Sequence, residues 1–372
     1  MSSIQKRGAF TGMSTHFESV LKRRSLFIWM MISLIAAVIC SIGMALSIGQ
    51  VAVPFMDSLR IIVYQTIGLS LGDMNELSSG SVVDIIWHIR FPRVLLAMIV
   101  GIGLALCGTV MQASVQNPLA DPYLLGISSG ASLGATFSIM LGFGAVGIMA
   151  SLGVAFWAFI GALGAAALVL VLANLGGKMS SVKLVLAGTI INALCSAFSN
   201  LIVYLAKNAE GIRSVTFWSM GSLASAKWDK LPLIAIMIGL AALFFICQAR
   251  VLNTMLMGDE TAVTLGINLN FYRRLYMIIS SVLTGVIVAT CGIIGFVGLI
   301  VPHIVRGMVG PDHKRLLPVV ILTSAIFMIW TDVLARTIIP NGELPIGIVT
   351  ALLGAPMFMY MLMKKSYGFG GK

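Results

Sequence analysis

The sequence predicts an all-α polytopic membrane protein with about ten transmembrane helices. Three observations carry that prediction. The 372 residues are 59% hydrophobic and only 10% charged, where a soluble domain carries roughly 25% charged residues. The apolar residues gather in runs of bilayer-spanning length, about 20 residues each. The basic residues gather at the ends of those runs, the pattern that sets membrane topology. No polar segment is long enough for a second domain of about 50 residues or more.

Residues 1–24 are polar and include Lys6, Arg7, Lys22, Arg23 and Arg24; they are expected to form an N-terminal tail on the cytoplasmic side. The apolar run 25–49 exceeds the roughly 7–15 residues of a cleavable leader's core, so it is expected to be the first span. Further spans are expected near 93–111, 123–142, 147–174, 182–206, 231–249, 275–291, 294–309, 316–336 and 344–363. The seventh and eighth are separated only by Gly292 and Gly295, and one broken stretch is the alternative. Residues 25–365 then form one transmembrane domain, and 366–372 a second cytoplasmic tail.

With both termini inside, sixteen of the 24 basic residues fall on the cytoplasmic side and eight outside, as the positive-inside rule requires. Two polar segments interrupt the pattern. Residues 50–92 form an external region. Residues 250–274 form an internal loop, expected to hold two short helices broken near Gly266.

The third span follows the polar stretch QNPLADPYLLGISSGASLG at 116–134. Its Gly126, Gly130 and Gly134 recur every four residues and share one helix face. Such small-xxx-small stripes allow close helix approach; lining a pathway is the alternative. Glycines 285, 292, 295 and 298, with Pro302 and His303 after them, give the C-terminal half a similar interruption.

Catalytic constellations are missing. The four histidines are scattered and the five cysteines lie in apolar runs without CxxC spacing, so neither a metal nor a disulfide is expected. GGKMSS at 176–181 resembles a phosphate loop, but Leu172 and Met179 stand where it needs glycine and a hydroxyl. Asp84, Asp121, Asp332 and Glu343 are expected near helix ends. Carboxylates inside spans, which a proton relay requires, are not expected. The net charge of +11 follows topology rather than any nucleic-acid-binding face.

Several ordered motifs resemble one family. These are IRFPRVLLAMIVGIGLALCGTVMQASVQNPLADPYLLGISSGASLGA (89–135), FWSMGSL (217–223), MGDETAVTLGI (257–267), GFVGLIVPHIVRGMVGPDHKRLLP (295–318) and ELPIGIVTALLGAPMFMYML (343–362). They are similar to the permease subunits of type II ABC importers, the FecCD family, across roughly residues 25–365. The resemblance implies a non-catalytic permease in the cytoplasmic membrane that imports an iron chelate (a ferric siderophore or haem) by ATP-driven alternating access. Cobalamin is the alternative cargo, and an ion-coupled secondary transporter the competing class.

The resemblance also implies partners and residue roles. A second permease copy completes a central pathway. Two cytoplasmic ATPase subunits hold the ATP and magnesium, leaving this chain without a cofactor. A substrate-binding protein docks outside, where Arg90, Arg93 and Arg336 match arginines that pair with its acidic residues. Gly258, Asp259, Glu260, Thr261, Leu265 and Gly266 match the segment that couples to the ATPase. Asn117, Leu119, Ser180, Ser181 and Val182 match a cytoplasmic gate. The family pattern has adjacent hydroxyls at 181 and 182; Val182 replaces one, leaving an apolar constriction as the seal.

Overall fold

The computed structural model describes residues 3–70, 80–142, 153–175 and 179–363, with side chains from residue 24 onward. The expected tail 366–372 and the first residues of the expected span 147–174 lie outside the described residues.

Helices form at every one of the ten expected places. We number them α1 (Ser3–Ser47), α2 (Phe55–Ile67), α3 (Ser81–Val115), α4 (Ile127–Leu141), α5 (Gly153–Asn174), α6 (Ser181–Ala206), α7 (Ala209–Ser219), α8 (Leu231–Cys247), α9 (Ala249–Leu256), α10 (Asp259–Thr264), α11 (Leu269–Cys291), α12 (Val297–Val309), α13 (His313–Thr337) and α14 (Ile346–Met363). Six of them are long and apolar enough to cross a membrane alone: the 24–47 part of α1, then α3, α5, α6, α11 and α13. α8 and α9 make a further span bent by 60°.

The ten-span expectation needs refinement at α4, α12 and α14, whose apolar lengths fall in the 10–17 residue range. A helix rises 1.5 Å per residue, so these are short of the roughly 30 Å hydrocarbon layer. Two of the three begin at a chain break. A single 3-10 turn, Pro122–Leu125, precedes α4 and ends at Gly126 in the left-handed region. Residues 292–296 separate α11 from α12, so the seventh and eighth expected spans are distinct helices. Phe296 caps α12 with φ of 69°, a conformation uncommon outside glycine.

These breaks expose backbone polar groups that lipid cannot satisfy. Other groups of the chain satisfy several of them. The Tyr123 hydroxyl donates to Ile294 O at 3.0 Å and accepts from Ile294 N–H at 3.3 Å. Ser222 N–H donates to Cys291 O at 2.7 Å. The two glycine-interrupted regions noticed in the sequence therefore meet in space.

α3 is the centre of the molecule. Its most apolar window is 78% buried, against 11% for α1. α1, α8, α9, α11, α12 and α13 surround it, and its Leu96, Val100, Leu104 and Leu106 enter the main core. A second core joins α4, α5 and α6, with α11 between the two.

The stripe Gly126, Gly130, Gly134 faces neighbouring helices of the same chain. A Cβ on Gly130 would strike the Gly161 carbonyl and the Ala165 methyl on α5; one on Gly134 would strike the Trp157 carbonyl. Gly126 lies against Ile191 of α6. The residues are small because two backbones nearly touch there. Gly134→Ala should destabilise the protein by about 1–3 kcal/mol, the usual result of overpacking. Gly164→Ala on the open face of α5, where nothing lies within 4 Å, is the matched control. Thermal unfolding in detergent compares them; equal midpoints would refute the close-contact reading.

Candidate functional site

The two ends of α3 mark two polar sites. Arg93 and Gln116 lie 23 residues apart along it, about 35 Å at 1.5 Å per residue. Between them the core is mainly apolar, with buried Thr109 and Gln112 on α3 and Gln112 accepting from Arg306 at 2.8 Å.

At the arginine end, α3 begins with a wide π turn, Asp84–Arg90. Arg93 Nε lies 2.8 Å from Asp332 Oδ1 on α13, and its Nη1 lies 2.8 Å from both oxygens of Glu343. Arg336, one turn beyond Asp332, places Nε 3.4 Å from Asp332 Oδ2 and donates to Ala45 O. Arg90 donates to Leu46 O at 2.7 Å and to Val51 O. All three arginines are at most 6% exposed, and Asp332 is 0% exposed.

Arg90, Arg93 and Arg336, the docking arginines that the resemblance implies, sit together at one end of the bundle. Internal carboxylates and carbonyls engage them, because a buried guanidinium without such partners is strongly disfavoured. Asp332 lies near the C-terminal end of α13, as expected, and its carboxylate is fully buried there. Its two arginine partners explain how the helix tolerates it.

At the other end, α8 bends into α9, and Gly258 turns the chain into α10 with φ of 103°. The break between the two short helices is thus at Gly258, not near Gly266. Gly266 instead closes α10 with φ of 81°, and Asn268 caps α11 through Phe271 N–H at 3.2 Å. Met257, Val263 and Leu265 are exposed apolar side chains here, with Glu260 and Gly266 exposed beside them, while Thr261 is half-buried and Ala262 is buried. Asp259 is different. Its carboxylate accepts from Arg273 at 2.7 and 3.0 Å and from Gln116 at 2.7 Å. It points into the protein, so the acidic pair Asp259–Glu260 is divided between inner and outer faces.

The five residues that the resemblance assigns to a gate lie at this same end, Asn117 and Leu119 in the turn after α3 and Ser180, Ser181 and Val182 at the start of α6. Asn117 Oδ1 accepts from Leu119 N–H at 2.9 Å, forming the turn after α3. Ser180 caps α6 by accepting from Lys183 N–H at 3.3 Å, with Ser181 the first helical residue. Val182 is exposed. Arg273 joins the two turns: its Nε donates to Ser114 O at 2.9 Å and its Nη1 to Met179 O at 3.4 Å.

A third feature was not read from the sequence. α6 exposes Thr189, Asn192, Ser196, Asn200 and Tyr204, spaced three or four residues apart and so on one face. Only 28% of its most apolar window is buried. Polar side chains on a spanning helix avoid lipid, so this face meets water or another protein. The signal was legible in the i, i+4, i+8 spacing of Asn192, Ser196 and Asn200, hidden by the high hydropathy of the run.

Comparison with known proteins agrees with this architecture. Residues 30–364 match the FecCD transport family. The hemin transport system permease protein HmuU of Yersinia pestis is 38% identical over 329 residues, covering 85% of this chain and 98% of that protein. The vitamin B12 import system permease protein BtuC of Citrobacter koseri is 36% identical over 319 residues, 84% of this chain and 94% of that protein. A solved metal-chelate type ABC transporter in an inward-facing conformation superposes with a TM-score of 0.75 at 31% identity, covering 90% of this chain and 99% of that one.

Proposed function

The chain belongs to the FecCD transport family, and from that membership we propose that it is the membrane permease of an ABC importer whose cargo is an iron chelate, haem foremost. The observation that carries the cargo class is the near full-length match to a hemin permease, joined by the likeness to a metal-chelate transporter. Cobalamin is the second reading, favoured by the match to a vitamin B12 permease.

The polar face of α6 borders the cargo path. A second copy of the chain closes that path from the other side, so neither copy exposes Asn192, Ser196 or Asn200 to lipid. ATP and magnesium belong to a separate subunit, which seats on Met257, Val263 and Leu265. The Asp259 end is then cytoplasmic and the arginine end external. A substrate-binding protein docks at the arginine end, beside a small cavity of about 160 Å³ lined by Arg90, Arg93, Arg336 and Glu343. Because the arginines are already paired, an incoming carboxylate displaces the half-exposed Glu343 from Arg93 rather than meeting a free charge. Asp332 serves no proton relay, since two arginines hold it as an ion pair.

Uptake of haem, a ferric siderophore and cobalamin in a deletion strain tests the reading. Loss of haem or siderophore uptake, restored by the chain together with its ATPase, is expected. Uptake that collapses with a protonophore and needs no ATPase would overturn it, and selective loss of cobalamin uptake would replace the cargo.

A further inference from the structure

We propose that Arg273 is the positioning residue that transmits movement of the ATPase-docking helix α10 to the two turns of the gate. This rests on the importer reading above and adds a residue outside the family-matched coupling and gate segments.

The geometry points to Arg273 because three separate chain segments converge on it or on its partner. Its guanidinium holds Asp259, the first residue of α10, with two nitrogens. The same group holds Ser114 O in the last turn of α3 and Met179 O in the turn before α6. Asp259 in turn accepts from Gln116, whose amide also donates to Met255 O of α9 at 2.8 Å. Ser114 and Gln116 lead directly into Asn117 and Leu119; Met179 leads directly into Ser180, Ser181 and Val182. One side chain thus touches the docking helix and the root of both gate turns.

The surroundings favour transmission over simple packing. A cavity of about 650 Å³ is lined by Met179, Asp259, Glu260, Val263, Asn268 and Arg273, so among the described residues the guanidinium lies on a wall shared with α10 and Met179. Arg273 is 2% exposed. The guanidinium is buried while its partner Asp259 is half-exposed, so the pair ties a buried side chain to the surface helix α10. Arginine suits the task because its planar fork fixes several acceptors at once; lysine, a point charge on a flexible stem, does not.

The test uses the complete transporter, with its ATPase and binding protein, in proteoliposomes supplied with haem. Three quantities are read: ATPase retained on purification, ATP hydrolysed, and haem moved per ATP. In Arg273→Lys and Arg273→Gln, retention should stay within about twofold of wild type while haem moved per ATP falls at least about tenfold, near 1.4 kcal/mol of lost coupling. Asp259→Asn, altered at a half-exposed side chain, should show the same fall per ATP and carries the test if the Arg273 variants fail to assemble. Haem moved per ATP within twofold of wild type in the assembled variants overturns the proposal. So does a loss of transport that only parallels loss of the ATPase, which would make Arg273 a support for the docking face. Wild-type protein that retains no ATPase overturns the importer reading itself, a separate result.

Discussion

Asp332→Asn is expected to be the most destabilising conservative substitution at the arginine end. Asparagine matches the size of aspartate and removes only the charge. Arg93 Nε lies 2.8 Å from that carboxylate and Arg336 Nε 3.4 Å from it, and all three side chains are buried. Removing one member of a buried ion pair costs about 3–5 kcal/mol, because the remaining charge stays desolvated. Here two guanidiniums are left with Glu343 as their nearest acid. Glu343→Gln should cost less, since its side chain is 42% exposed and water can replace it at Arg93. Chemical unfolding in detergent measures the difference. Equal losses for the two variants would show that Asp332 is not the pivot of the cluster.

Val263→Asp combined with Leu265→Asp is expected to abolish ATP-driven uptake while leaving the permease inserted and folded. These side chains are 59% and 62% exposed, so the unbound protein loses little by the change. Burying a Val or Leu side chain fully is worth about 1.5–3 kcal/mol, and each 1.4 kcal/mol is tenfold in affinity. Losing both contacts therefore weakens the ATPase by on the order of 100-fold or more. Titration of the ATPase subunit onto the solubilised permease reads this directly. An affinity within threefold of wild type would move the docking surface elsewhere.

Much of the architecture was legible beforehand. The apolar runs located ten helices, because crossing a bilayer demands long stretches without charge. The four-residue glycine spacing marked α4 as a closely packed helix, because only small residues let two backbones approach. The loop 250–274 was marked by Gly258 and Gly266, both of which take positive φ. The break was placed at the wrong one of the two, because both are turn-formers and the sequence does not say which reverses the chain. The short helices α4 and α12 were read as full spans for a related reason. Hydropathy continues through 122–126 and 292–296, while the α-helix does not.

By itself, the sequence determined the membrane class, the helix positions and the two polar ends, since these follow from local composition and period. Only the tertiary structure decided what the charges at those ends do. Arg93 and Asp332 are 239 positions apart, and Arg273 and Ser114 are 159 apart. A charged residue beside an apolar run reads alike in sequence whether it faces water or a buried partner. The difference lies in desolvation, which is strongly unfavourable for an isolated ion and tolerable for a paired one. It exists only once distant helices have packed.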